Sequence, residues 1–306
     1  MNTFLLALTC LFLLASATLG SIADDATQRC DVSAGWLSPV AGGCRVALPG
    51  VESWLCVYQD VEVTDIVAAD FDLVDVDPDG FSRSDVAAMQ DSGKIVVAYI
   101  SIGEAEEYRY YWDPDASYLL EENPDWAGNW YVDFSSPFWQ SLIIDDYIPR
   151  IKAKGFDGLY LDTLETYHLE EWYPSCSRET MTDFVRSISE AHRSSSFYII
   201  AQNGLEIATD IAACIDGVGV EETYCRAVYV DILGRHVNGI PQRPGVTAAN
   251  VEVMDWLRDE GKLVLTLDYA ILRFQVVRCY KRSREQGYVP YVSTAALDRI
   301  RLPPDL

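Results

Sequence analysis

The chain has 306 residues, of which 49% are apolar and 23% charged, enough length and apolar content to bury a full core within one domain. Its 47 acidic side chains against 23 Lys and Arg leave a net charge of −24. Such a surface repels nucleic acid and anionic membranes, which removes both as expected partners, and attracts cationic ones.

Taken in chain order, residues 3–15 are uncharged and mostly apolar, and Ala15-Ser16-Ala17 follows with small residues at the spacing of a leader cleavage site. Residues 1–20 are therefore expected to be a signal peptide, the apolar run being too short for a comfortable membrane span. The mature protein is expected to be secreted and monomeric. Of the 8 cysteines, Cys10 leaves with the leader. Cys30, Cys44, Cys56, Cys176, Cys214, Cys225 and Cys279 remain, an odd set, so at least one thiol lacks an internal partner. There is no Cys-x-x-Cys, and the only histidines are His168, His192 and His236. A zinc site has little to draw on, and neither metal nor cofactor is expected.

Eight short β-branched runs follow, at residues 55–59, 72–77, 95–101, 159–162, 197–203, 218–222, 263–269 and 288–293. They alternate with longer amphipathic stretches, the signature of βαβ units and a parallel sheet. Eight such runs predict closure into a single-domain (β/α)8 TIM barrel over residues 30–303. Helix signals fall between them. Ser82-x-x-Asp85 reads as a capping box, with a stop at Ser92-Gly93. Ser136-Pro137 reads as an N-cap with proline at the first helical position, and Phe138, Leu142, Tyr147, Ile148 and Ile151 then share a predicted face. Met181, Phe184, Val185 and Ile188 repeat the pattern, as do Val253, Trp256 and Leu257. The two long loops, 103–135 and 223–246, both follow strands, so both belong on the C-terminal face where barrels build binding surfaces. The first carries Tyr108, Tyr110, Tyr111, Trp112, Trp126 and Trp130. Most of these rings are expected to pack the loop itself and one or two to meet a ligand.

Two segments share one frame: Phe156-Asp157-Gly158-Leu159-Tyr160-Leu161-Asp162 and Ile215-Asp216-Gly217-Val218-Gly219-Val220-Glu221. Each is an apolar residue, an Asp-Gly turn, a strand and a terminal acid. Alternation along a strand turns Tyr160, Asp162, Gly219 and Glu221 inward if Leu159 and Leu161 meet the helices. Asp162 and Glu221 then stand at the mouth of the fourth and sixth strands. Two carboxylates brought close have their pKa values driven apart, giving the ionised and the protonated acid that glycoside hydrolysis uses.

Lys94-Ile-Val-Val-Ala-Tyr-Ile-Ser-Ile-Gly-Glu-Ala-Glu106, with Tyr108-Arg109 and Trp112, resembles the third-strand motif of glycoside hydrolase family 114, the endo-α-1,4-polygalactosaminidase-like TIM barrels. Gly155-Phe-Asp-Gly-Leu-Tyr-Leu-Asp162 resembles that family's fourth-strand motif, and Tyr58-Gln59, Gln202-Asn203-Gly204, Val220-Glu221-Glu222 and Leu267-Asp268-Tyr269 fit its other strands. The resemblance implies hydrolysis of α-1,4-linked galactosamine polysaccharide with retention, and implies Asp162 as nucleophile and Glu221 as acid/base. Glu222 is the other candidate at the sixth strand; alternation prefers Glu221. A cationic galactosaminoglycan suits an acidic groove of Asp75, Asp77, Glu104, Glu106, Glu222 and Asp268, with Tyr99, Trp112, Tyr160, Asn203 and Tyr269 as neighbours of the sugar. A glycosidase acting on α-galactosides and a non-catalytic carbohydrate-binding barrel are the alternatives. Cys214 and Cys225 flank a strand and stand about 20 Å apart, beyond the reach of a disulfide. Cys176 and Cys225, both in mouth loops, are expected to pair, as are Cys30 and Cys44.

Overall fold

The computed structural model describes residues 48, 50–230 and 235–304. The leader at 1–20, Cys30 and Cys44 lie outside the described residues. Eight parallel strands form the body: β1 (Trp54–Val57), β2 (Leu73–Val76), β3 (Ile95–Ser101), β4 (Gly158–Asp162), β5 (Tyr198–Gln202), β6 (Gly217–Glu221), β7 (Leu263–Tyr269) and β8 (Val289–Ser293). Each pairs with the next in sequence order, and helices fill the crossovers. At the seam between β8 and β1, the Trp54 and Tyr291 rings lie 6.0 Å apart and the Tyr58 N–H donates to the Leu297 carbonyl at 3.0 Å. This is the expected barrel, nearly closed and a single domain. Every predicted strand is present, with ends displaced by no more than two residues.

Strands buried on both faces need apolar runs rather than clean alternation, and Leu73–Val76, all four residues buried, shows why such runs could be read. Trp54, Tyr160 and Tyr291 fill the interior. Gly219 has a specific reason for being glycine. A Cβ at that position would sit 1.9 Å from the Tyr160 phenol oxygen. Tyr160 on β4 and Gly219 on β6 thus share one interior layer, which barrels build from alternate strands, and the glycine supplies the volume the ring takes.

The capping box forms as read: Ser82 Oγ accepts from the Asp85 N–H while the Asp85 side chain accepts from the Ser82 N–H. After Pro137 the predicted face is displaced. Phe138 is 73% exposed, and Trp139, at 0%, is buried instead with Ile143, Tyr147, Ile148 and Ile151. A π-helical stretch, Leu142–Tyr147, interrupts this helix and breaks the 3.6-residue period on which the prediction rested. In the helix Pro244–Asp259, Met254 and Leu257 are buried and Trp256 is turned outward.

Both long loops are folded. The first is an antiparallel three-stranded flap of Glu104–Glu106, Leu119–Glu122 and Asn129–Val132. The second is a hairpin of Cys225–Val230 and Arg235–Pro241. The expected Cys176–Cys225 bridge is not formed. Cys176 packs beneath the flap, with its thiol 3.7 Å from the Val132 carbonyl. Cys225 opens the hairpin two strands farther round the barrel and shares a hydrogen bond with Cys279 of the helix Arg273–Glu285. Sharing the mouth face does not place two residues on the same side of it.

Candidate active site

A cleft of about 740 Å³ opens at the C-terminal mouth, walled by the flap on one side and the hairpin on the other. Asp162 and Glu221 both line it, from the last residues of β4 and β6. The residues that follow β4, β5 and β6 are left-handed without being glycine: Thr163 (φ 62°), Asn203 (φ 53°) and Glu222 (φ 54°). Such conformations cost on the order of 1 kcal/mol or more and persist where surrounding bonds hold them. At β4 the turn aims the Thr163 N–H back at Asp162 Oδ1, 2.7 Å away. The Thr163 hydroxyl meanwhile accepts from the Gly103 N–H at 2.7 Å and meets Ser101 Oγ at 2.8 Å, tying the flap root to β4. At β5 the Asn203 side chain reaches across to β6, accepting from the Glu221 N–H at 3.0 Å and donating to Glu221 Oε2 at 3.4 Å.

Burial pushes both carboxyl groups up from the usual carboxylate range. For Asp162 the rise is large, and the charges of Glu165 and Glu221 add to it against donation from Thr163 and Tyr99. Glu221 rises less, because Tyr269, Asn203 and Gln202 all donate to it. Tyr160 in turn donates to Gln202 Oε1, so a chain of neutral donors runs from the barrel core to Glu221. Among the described residues neither Asp162 nor Glu221 has a Lys or Arg within ion-pair distance.

The structure divides the expected acidic groove. Asp77 and Glu106 line the cleft but are committed to Arg109, whose buried guanidinium bonds them at 2.8 and 2.6 Å. That ion pairing removes the basis for giving them to substrate. Asp75 is fully buried under Tyr58, which donates to it at 2.5 Å, and does not line the cleft. Asp268 is likewise enclosed and accepts the Tyr224 and Cys225 backbone N–H groups at 2.6 and 2.7 Å. Glu104 and Glu222 do line the cleft. Glu104 takes bonds from Asn123 and Asn129, and Glu222 from the Ala227 N–H. Tyr99, Asn203 and Tyr269 line the cleft as expected, whereas Tyr160 lies below it in the barrel core. Trp112 also departs from expectation, packing against Trp130 at 5.9 Å and against the core, outside the cleft lining.

His236 and Glu165 line the cleft without having been expected to, and Trp126 is one of the first-loop rings that reaches it. Trp126 and His236 stack at 5.9 Å where flap and hairpin meet over the cleft. Glu165 stands on the 3-10 segment Leu164–Glu171, past the end of β4, where strand alternation has nothing to say.

The model of the glycoside-hydrolase family GH114 matches residues 38–305, nearly the whole chain. The chain belongs to family GH114. An uncharacterized Deinococcus radiodurans protein is 33% identical over 278 residues, covering 84% of this chain and 85% of that one. Among solved structures, the glycoside hydrolase domain of PelA from Pseudomonas aeruginosa matches with a TM-score of 0.68 at 21% identity, over 83% of this chain and 99% of that domain. Ega3 of Aspergillus fumigatus, solved in complex with galactosamine, matches with a TM-score of 0.66 at 17% identity, over 84% of this chain and 98% of that one. Identities this low speak for the barrel alone. The GH114 membership is what connects this chain's cleft to carbohydrate.

Proposed function

We propose that this GH114 chain is a secreted glycosidase that cleaves α-1,4-linked galactosamine polysaccharide by a retaining mechanism carried by Asp162 and Glu221. The observation that carries the reading is the placement of two half-buried carboxyl groups at the ends of β4 and β6, lining one cleft, with neutral donors and, among the described residues, no Lys or Arg within ion-pair distance of either. The substrate is taken from the family resemblance, and Ega3 with its bound galactosamine favours it.

In this reading the Asp162 carboxylate attacks the anomeric carbon as Glu221 gives its proton to the departing glycosidic oxygen. Glu221 then takes a proton from the water that releases the sugar from Asp162. Burial raises both carboxyl groups, and the charge of Glu221 raises Asp162 further, so a proton on one bears on the other. In the empty cleft burial raises both, less at Glu221, where three donors offset it; at Asp162 burial, with repulsion from Glu165 and Glu221 added, favours a proton. A cation arriving beside Glu165 weakens that repulsion and frees the Asp162 carboxylate for attack.

The test is reducing-end release from partly deacetylated α-1,4-galactosamine polymer by the mature protein and its Asp162→Asn variant. Release by the wild type, an α-anomer as first product, and a loss of about 10³-fold or more in the variant are expected. Undiminished release by the variant, or a β-anomer first, sinks the mechanism; a polymer that binds without being cut sinks the enzyme. Export rests on the apolar run at 3–15 and the small residues after it. The intact mass of protein recovered from the medium checks it, and a chain still carrying residues 1–20 would count against it.

A further inference from the structure

The acids of the cleft differ in what their oxygens already bind. Asp162, Glu221, Glu104, Glu106 and Glu222 each accept at least one hydrogen bond from a neighbouring side chain or backbone N–H. Glu165 differs among the described residues lining it, in that only its own backbone N–H donates to its carboxyl group. Its Oε2 is shut off from solvent, accepts no hydrogen bond, and has no Lys or Arg within ion-pair distance. Arg178, at the start of the following helix, is committed elsewhere, donating to the Glu206 carbonyl and lying over the Tyr167 ring. An enclosed carboxylate oxygen without a donor is costly; Asp75 and Asp268 each keep one away from the cleft, whereas Glu165 lines the cleft, where a ligand can complete it.

We propose that Glu165 is the receptor for the protonated amine of the sugar, and so the residue by which this cleft distinguishes galactosamine from its N-acetyl derivative. The inference rests on the galactosaminidase reading above and extends it to a named carboxylate. An ammonium group brings three donors and a positive charge to an oxygen that lacks both; an acetamide is neutral, bulkier, and brings one N–H. Position agrees with the role. Glu165 sits three residues beyond Asp162, so a sugar whose amine reaches it has its ring at the mouth of β4.

The surroundings of Glu165 are acidic on every side. Asp162 comes from β4, Glu221 from β6, Glu104 from the flap and Glu206 from the turn after β5. Tyr131 of the flap and Tyr167 of its own segment are near and neutral. His168 is turned to the Glu165 backbone carbonyl, 2.7 Å away, and not to the carboxylate. Burial and these like charges push the Glu165 carboxyl up to about 7, so near neutral pH a large share of the empty protein carries a proton there. An ammonium ion displaces it. Binding of galactosamine therefore releases protons and tightens as pH rises through 7, until the sugar's own amine loses its charge. Loss of the Glu165 repulsion is also what lowers the pKa of Asp162, coupling recognition of the amine to readiness of the nucleophile.

The experiment is titration calorimetry of the mature protein with galactosamine and with N-acetylgalactosamine at pH 7, in two buffers of different ionisation heat, for the wild type and Glu165→Gln. The wild type should prefer galactosamine and release protons on binding it. Glu165→Gln should weaken galactosamine about tenfold or more, leave N-acetylgalactosamine within about twofold, and abolish the proton release. A variant that keeps the preference overturns the proposal. If the variant does not fold, the wild type decides alone, since galactosamine binding without proton release overturns it too. A wild type that cleaves the polymer yet prefers neither sugar removes Glu165's role and leaves the enzyme standing. One that neither cleaves nor binds removes both.

Discussion

Asp162 and Asp268 both stand near the mouth ends of strands in one barrel, β4 and β7, and burial raises both, Asp268 to about 7. From the chain alone they are the same kind of residue. Asp268, however, spends Oδ1 on two backbone N–H groups at the root of the hairpin, and no part of it lines the cleft. Asp162 accepts from the turn beside it and from Tyr99, and opens onto the cleft opposite a second acid. A raised pKa at a barrel mouth therefore does not distinguish chemistry from architecture. Whether the carboxylate opens onto the cleft does.

Substituting each aspartate by Asn and by Ala breaks the comparison most directly. At Asp162 both changes should abolish turnover alike, by about 10³-fold or more, since nucleophile and charge vanish in either case. Thermal stability should hold or rise, because a carboxyl group whose ionisation is disfavoured by burial and by Glu165 and Glu221 has gone. At Asp268, Asn keeps an acceptor for the Tyr224 and Cys225 N–H groups and should be nearly silent. Ala strips two buried donors and should cost about 2–5 kcal/mol in denaturant unfolding, with turnover per folded molecule largely kept. An Asp268→Asn variant as inactive as Asp162→Asn would return Asp268 to the catalytic set.

This contrast also marks where the sequence was legible. The strands were, because β-branched runs buried on both faces carry their own signature, and the shared Asp-Gly frame put Asp162 and Glu221 on the correct strands and faces. Commitments of the other acids were not. Asp77 meets its cation at Arg109, 32 residues away, and Asp268 meets backbone groups 43 and 44 residues away, separations that leave no local pattern. The left-handed turns at Thr163 and Glu222 fall on residue types that give no hint of one. Glu165 was missed because the reading followed strand alternation and stopped where β4 stops.

Gly219 sharpens the comparison from below the cleft. Ala at this position drives a methyl group to within 1.9 Å of the Tyr160 phenol, which donates to Gln202, itself a donor to Glu221. Overpacking of this kind costs about 1–3 kcal/mol. The displaced ring should also loosen Glu221, so Gly219→Ala should lose turnover together with stability, as neither Asp162→Asn nor Asp268→Ala does. Adding Tyr160→Phe removes the nearest atom while the ring carbons stay within 2.9 Å. The double variant should recover part of the stability and little of the activity, read by melting and by initial rates. Full recovery of activity would show that the Tyr160–Gln202 link does not position Glu221.

The smallest effect separates two acids that share a pKa of about 7, Glu165 and Asp268. Each has its folded value above the roughly 4 of an unfolded carboxyl, so between those limits the native state holds more protons than the unfolded one. Stability must then fall as pH rises from about 4 to about 7, by at most about 1.4 kcal/mol per pH unit for each group, and level off above. Asp268→Asn should flatten the slope by one group's share, gaining on the wild type as pH increases, in the presence or absence of sugar. Glu165→Gln should flatten it comparably only without sugar, because galactosamine bound to the wild type supplies the charge that the empty site lacks. If saturating galactosamine leaves the wild-type slope unchanged, the proton on Glu165 is not what the sugar displaces, and the two acids are alike after all.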